Sequence, residues 1–249
     1  MSTYHKKLLA AVGGGFNPKG VRFDDVDSLQ RGSDFTSNVD GKKGIFSFFI
    51  KMYVDDLNLN FFRTNNARFQ IGTLDTNEIN LLARDTSSNT VFSVQTAAGT
   101  ILAANGWMHV LASWDVSSGV NDVQLYLDDA EAADNLTKNS NNDIDYTDTT
   151  HQFRGITGND GFEIAEFYYN NAEYLDITLE ANRRKFITAD GKPVNLGNNG
   201  SLPTGSAPIV YLSLQSNTVN DFVENNGYGG DFAVSAGTLT EATTNPKVE

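Results

Sequence analysis

No cysteine occurs in the 249 residues of this chain. A disulfide framework and a thiolate metal site are therefore excluded. Secreted animal domains often carry a disulfide, so the absence favours a microbial or viral source. Histidine is scarce. His5, His109 and His151 are the three present, scattered too widely for a zinc pattern. No stretch approaches the roughly 20 apolar residues of a membrane-spanning helix. The nearest imitation of a targeting signal is Lys6-Lys7 followed by Leu8-Leu9-Ala10-Ala11-Val12. Its short apolar run falls below the roughly 7–15 residues of a secretory core, so no export signal is expected.

Positive charge is also in short supply. The 18 Lys and Arg face 31 Asp and Glu, giving a net charge of −13 and a pI near 4.5. Non-specific nucleic-acid binding needs a basic surface, and an anionic membrane repels an acidic chain. Neither nucleic acid nor membrane is an expected partner. No nucleophile elbow with a Ser-His-Asp order is present, and no phosphate-binding glycine loop precedes a helix.

What is abundant points to β structure: 16 Phe, 9 Tyr and 22 Gly, with many Thr and Val. The first strong strand is 45–54. Phe46, Phe48, Ile50, Met52 and Val54 share one face by the period of two and read as core. Ser47, Phe49, Lys51 and Tyr53 share the other, mixed face, as on a sheet that is half wet or covers a groove. Short strands are predicted at 57–62, 68–71, 79–83 and 90–94, separated by Asn, Asp, Gly and Ser clusters. That spacing indicates a sandwich or barrel. Residues 106–115 and 123–129 read as an antiparallel hairpin. Residues 130–161 are polar and read as a long surface excursion or binding loop. Further strands are expected at 162–169 and 208–214, with a Gly-rich turn and strand over 222–234. The one good helix candidate lies near 178–187, with Thr178 as its cap and Arg183, Arg184 and Lys185 at its negative end. With no repeat and no linker, one sandwich is predicted over 41–237. Residues 1–40 form an N-terminal extension, either an arm or integrated in the sandwich, and 238–249 a polar tail.

The strand Trp107-Met-His-Val-Leu-Ala-Ser-Trp-Asp115, followed by Val123-Gln-Leu-Tyr-Leu-Asp-Asp129, resembles the laminin-G and pentraxin type of concanavalin-A-like domain. That group carries a Trp-x-His-Val-x-x-x-Trp-Asp strand and then one ending in Tyr-Val-Asp-Gly. Asp129 stands where the group has Gly. Asn182-Arg-Arg-Lys-Phe-Ile187, Asp190-Gly-Lys-Pro-Val-Asn-Leu-Gly197 and Asn225-Asn-Gly-Tyr-Gly-Gly-Asp-Phe232 resemble laminin-G-like modules of bacteriophage structural proteins. The resemblance covers about residues 40–235. It implies an all-β antiparallel jelly-roll sandwich with a short helix before its last strands, and a place in a virus particle.

Candidate chemistry is thin. Enzymes of this fold place paired carboxylates on one strand as Glu-x-Asp-x-x-Glu. Glu163-Ile-Ala-Glu166 is the nearest match, but the middle Asp is missing and ideal alternation sends the two side chains to opposite faces. His109 alternates with Trp107 and Leu111 and reads as a packed strand residue rather than a base. The acidic pairs Asp24-Asp25, Asp55-Asp56 and Asp128-Asp129 offer the oxygens that calcium takes, with solvated loop carboxylates as the other reading. Phe49, Tyr53, Tyr126 and Tyr168 fall opposite the apparent core of their strands. They are the candidate ligand or partner residues, as a shallow aromatic groove for a glycan, a contact with a neighbouring subunit, or packing under loops.

The expectation is a non-enzymatic structural protein of a bacteriophage particle, on the capsid surface or in a tail fibre. Its expected partners are other virion proteins, further copies of itself and a host glycan. The alternative is a bacterial carbohydrate-binding module at the cell surface or secreted, and behind it a glycoside hydrolase of the same fold.

Overall fold

The structure is a computed structural model that describes residues 16–24, 26–117, 122–154, 161–214 and 218–246. The signal-like segment 6–12, His5 and Asp25 lie outside the described residues. In chain order the described strands begin with β1 (Val21–Phe23), β2 (Ser28–Arg31), β3 (Lys43–Met52), β4 (Leu59–Thr64) and β5 (Phe69–Thr73). They continue with β6 (Ile79–Arg84), β7 (Thr90–Gln95), β8 (Met108–Asp115), β9 (Asp122–Leu127), β10 (Ala130–Glu131) and β11 (Asn135–Lys138). The last are β12 (His151–Arg154), β13 (Phe162–Asn170), β14 (Val210–Leu212), β15 (Ala233–Ala236) and β16 (Thr240–Glu241).

These strands form two eight-stranded antiparallel sheets packed as a jelly-roll sandwich. One sheet runs β10-β9-β8-β3-β13-β1-β16, with β14 also paired to β13. The other runs β11-β7-β6-β5-β4-β12-β2-β15. Alternation decides what each strand buries. Phe46, Phe48 and Ile50 of β3 point between the sheets, where they meet Phe61, Phe62 and Phe69. Phe46 stacks on Phe69 at 5.4 Å and on Tyr169 at 4.6 Å between ring centres. Trp114 is fully buried, and its indole N–H donates to Tyr146 Oη at 2.7 Å. Tyr146 in turn donates to the Lys43 carbonyl at 2.8 Å, which satisfies the phenol inside the core. Gly44 is required opposite that indole, because a Cβ there would stand 2.1 Å from Trp114 Cζ2.

Two expectations are corrected, and for residues 16–40 one of the two alternatives is met. The 130–161 stretch is not one excursion: it carries β10, β11 and β12. Strand β12 is central in its sheet, paired to both β2 and β4. It escapes a sequence reading because His-Gln-Phe-Arg has a single conventional apolar residue, although His151 and Phe153 both point inward. Residues 16–40 are built in rather than forming an arm, since β1 pairs β13, β2 pairs β12, and Val21, Phe23, Leu29 and Phe35 join the core. The helix is one turn only, α1 (Glu180–Arg183), and Thr178 does not cap it. The Thr178 hydroxyl instead donates to Asp176.

Candidate functional site

Phe49, Tyr126 and Tyr168 do project from the outer face of the sheet that contains β3, but that face is not open. The chain leaves β13 and runs back across it as residues 171–208. Ile177, Phe186 and Leu196 from this segment pack on Ile45, Leu111, Tyr126, Tyr168 and Tyr211. Tyr168 meets Phe186 edge-on at 5.4 Å, and Arg183 lies 4.8 Å over the Tyr126 ring. Phe49 is closed in by Ala165, Ile187 and the His109 ring at 4.6 Å. The expected aromatic groove is therefore the seat of an internal cover: these three rings are 0–7% exposed. The cover is tied down electrostatically too. Asp129 accepts from Arg183 and Arg184, which hold its carboxyl well down, to about 2. Asp128 and Asp129 carry the turn after β9 at φ 44° and 71°, the left-handed conformation that glycine takes most readily.

Tyr53 stands apart and is half-buried. Arg22 lies 4.0 Å and Lys51 5.0 Å from its ring centre. Its hydroxyl donates to Glu163, and Thr243 lies 2.8 Å away. Glu163 is fully buried, paired with Lys51 Nζ at 3.2 Å, and accepts from the Thr243 backbone and hydroxyl. The C-terminal residues thus lie over this carboxylate, while Trp107 donates to Thr244.

Glu163 and Glu166 lie on the same outer face, contrary to ideal alternation. A bulge between Ala165 and Tyr168 inserts Glu166, at φ 50°, and restores the alternation after it. Glu166 accepts from the Tyr211 hydroxyl at 2.6 Å and from the Ser213 hydroxyl. It has no cationic partner among the described residues, and burial pushes its carboxyl up to about 7.

His109 is buried beside Ser47, with its Nε2 2.9 Å from the Ser47 hydroxyl, and burial lowers it to about 3. His151 is buried on the Phe35 ring at 3.9 Å with Nε2 3.1 Å from Asp34. The described acidic pairs are engaged within the protein. Asp55 accepts from Ala103 N–H, Asp56 from the Asn77 amide and Asp128 from His109 N–H, each at 2.7 Å. An open pocket of 470 Å³ is lined by Asp40, Asp85, Asp143, Asn141 and Asn142 with Lys42. Its carboxylates are committed as well: Asp85 accepts from Asn142, Asn89 and Ser87, and Asp40 from the Tyr146 and Thr147 N–H groups. Among the described residues no group of three His, Cys, Asp or Glu could hold a metal.

The other sheet is different. Its inner face supplies core, and no apolar cluster covers its outer face among the described residues. Cross-strand register aligns Ser93, Leu82, Gln70, Arg63, Gln152 and Gln30 in one outward row. A second row runs Gln95, Asn80, Gly72, Asn60. These rows were readable as the polar half of each alternating strand, though not that they would line up on the uncovered side. Amide side chains offer both donors and acceptors, the groups that recognise hydroxyl-rich molecules.

No protein-family model matches the chain, and no curated protein matches it by sequence. Solved structures match by shape. A Bacteroides ovatus protein, provisionally described as carbohydrate-binding, aligns over 93% of this chain at TM-score 0.62 and 9% identity. This chain spans 62% of that structure. The heptameric SAP-like pentraxin of Limulus polyphemus aligns over 92% of this chain and 96% of its own at TM-score 0.52 and 12% identity. At such identities the likeness establishes a sandwich of the lectin-like kind. Neither neighbour is a particle protein, so the expectation of a virion component gains nothing from them.

Proposed function

We propose that this chain is a non-enzymatic carbohydrate-binding module that takes saccharide on the outer face of its uncovered sheet. The observation that carries the reading is the contrast between the two faces. One is sealed by residues 171–208, while on the other Gln30, Asn60, Gln70, Asn80, Ser93 and Gln95 stand partly exposed in two aligned rows. Saccharide hydroxyls pair with such groups, and the sheet backbone that carries them is already ordered before binding. The Bacteroides ovatus protein, described in the same terms, shares this sandwich over nearly the whole chain, which favours the reading. Absence of catalysis is supported by the burial of Glu163 under the C-terminal residues and of Glu166 between β13 and β14.

The test is a glycan array followed by calorimetry. A Gln70→Ala/Asn80→Ala variant is expected to keep its fold and bind about tenfold more weakly, the worth of one or two hydrogen bonds. Full binding by that variant, or no saccharide bound by the parent, would refute the reading.

A further inference from the structure

Eight arginines are present, and six of them have partners among the described residues. Arg22 pairs with Asp24, Arg68 with Asp145, and Arg183 and Arg184 with Asp129. Arg31 donates to the Asp34 and Asp231 carbonyls, and Arg84 to the Ala67 carbonyl. Arg63 and Arg154 have no ion pair or hydrogen bond to any described residue. They are also neighbours. Arg63 stands opposite Gln152 in the register of β4 and β12, and Arg154 follows two residues on, on the same outward face. Diagonal positions of this kind lie about 7–8 Å apart.

Two like charges side by side are unfavourable, and here they repel enough to lower Arg63, after the larger effect of its burial. Arg63 Nε is shut off from solvent with nothing to bond to. A partnerless buried donor costs stability that a pairing would recover. Among the described residues no acidic side chain pairs with either arginine. In the same row Gln70 stands beside Arg63, and Gln30 beyond the buried Gln152, as neutral donors.

We infer that Arg63 and Arg154 bind the anionic group, a carboxylate or a sulfate ester, of an acidic saccharide lying along the amide row. Guanidinium forks pair with both groups through two parallel hydrogen bonds. The Gln30 and Gln70 amides then meet the adjoining hydroxyls. An anion seated between the two arginines removes their repulsion, so the charged sugar is favoured over its neutral counterpart. The inference rests on the carbohydrate reading above and adds the charge of the ligand.

The experiment uses the whole chain with matched oligosaccharides: neutral, uronate-bearing and sulfated. An NMR titration with inorganic sulfate and with acetate follows the Arg63 Nε–H signal. The parent is expected to bind one of the charged forms about 10–100-fold more tightly than the neutral form, with affinity falling as salt rises. The Arg63→Gln/Arg154→Gln variant should bind charged and neutral forms alike, and its melting temperature should not fall. Preference for uronate or for sulfate identifies the group, and Arg63→Lys should retain only part of the effect. Equal binding of neutral and charged forms would overturn the inference and leave the carbohydrate reading standing. A shift of Arg63 by sulfate with no saccharide bound would overturn the carbohydrate reading and uphold the anion site. No response to either anion would overturn the anion site itself.

Discussion

At the scale of single residues, Glu166 governs a pH dependence. Its carboxyl ionises near 4.5 in the unfolded chain and near 7 when folded. Between those values the native state holds a proton that the unfolded state has released. Raising the pH through this window therefore favours unfolding, by on the order of 3 kcal/mol in all, and the loss is complete above it. Glu166→Gln keeps an acceptor for one hydroxyl and a donor for the other. The variant should show no such loss, so the difference in unfolding free energy between variant and parent should grow from pH 4.5 to pH 7. His109 acts in the opposite sense: held near 3, it withdraws stability as the pH falls below its ordinary 6.5. That contribution is common to both proteins and cancels in the difference. A flat difference curve from denaturant titrations would count against a buried, partly protonated Glu166.

At the scale of elements, residues 171–208 form a cover with an apolar cluster of its own. Phe186 is 1% exposed and holds it to Tyr168. Phe186→Ala should cost about 3–5 kcal/mol. Hydrogen exchange should quicken first at Ile177 and Leu196, while saccharide binding on the opposite sheet is unchanged. Loss of binding without loss of stability would show that the covered face is the functional one. The cover was the least legible element in the sequence. Its apolar residues are spaced irregularly through turns, so no period marks them. Strands β3, β8 and β9 were legible because each alternates over six or more residues, and β13 because it alternates on either side of its bulge. Strand β12 was not, and with it went Arg154. Phe49, Tyr126 and Tyr168 were correctly placed opposite the core, but alternation reports which side a residue faces and not what lies against that side. The bulge at Glu166 was invisible for the same reason: it is one inserted residue in an otherwise regular run.

At the scale of the molecule, sequence-distant segments are joined along one sheet edge. Strand β16 pairs β1, Asn245 accepts from Gly20 N–H at 3.0 Å, and Thr243 caps Glu163. A chain ending at Gly237 should lose about 1–3 kcal/mol, because Glu163 and Trp107 are left without those partners. Thermal unfolding checks this, and an unchanged midpoint would make the segment a passive appendage.

The β1–β16 pairing also sets how the domain answers to pulling. Val21 sits opposite Glu241, and Arg22 opposite Thr240, with the strands antiparallel. Load applied at Val21 and Glu241 therefore draws both strands apart from the same end. Their backbone bonds break in succession, as in a zipper, rather than together, as in shear. The sandwich core is rigid, yet along this axis it yields at its weakest pair, so a force sensor attached at these two points would record a low first step before the core gives way.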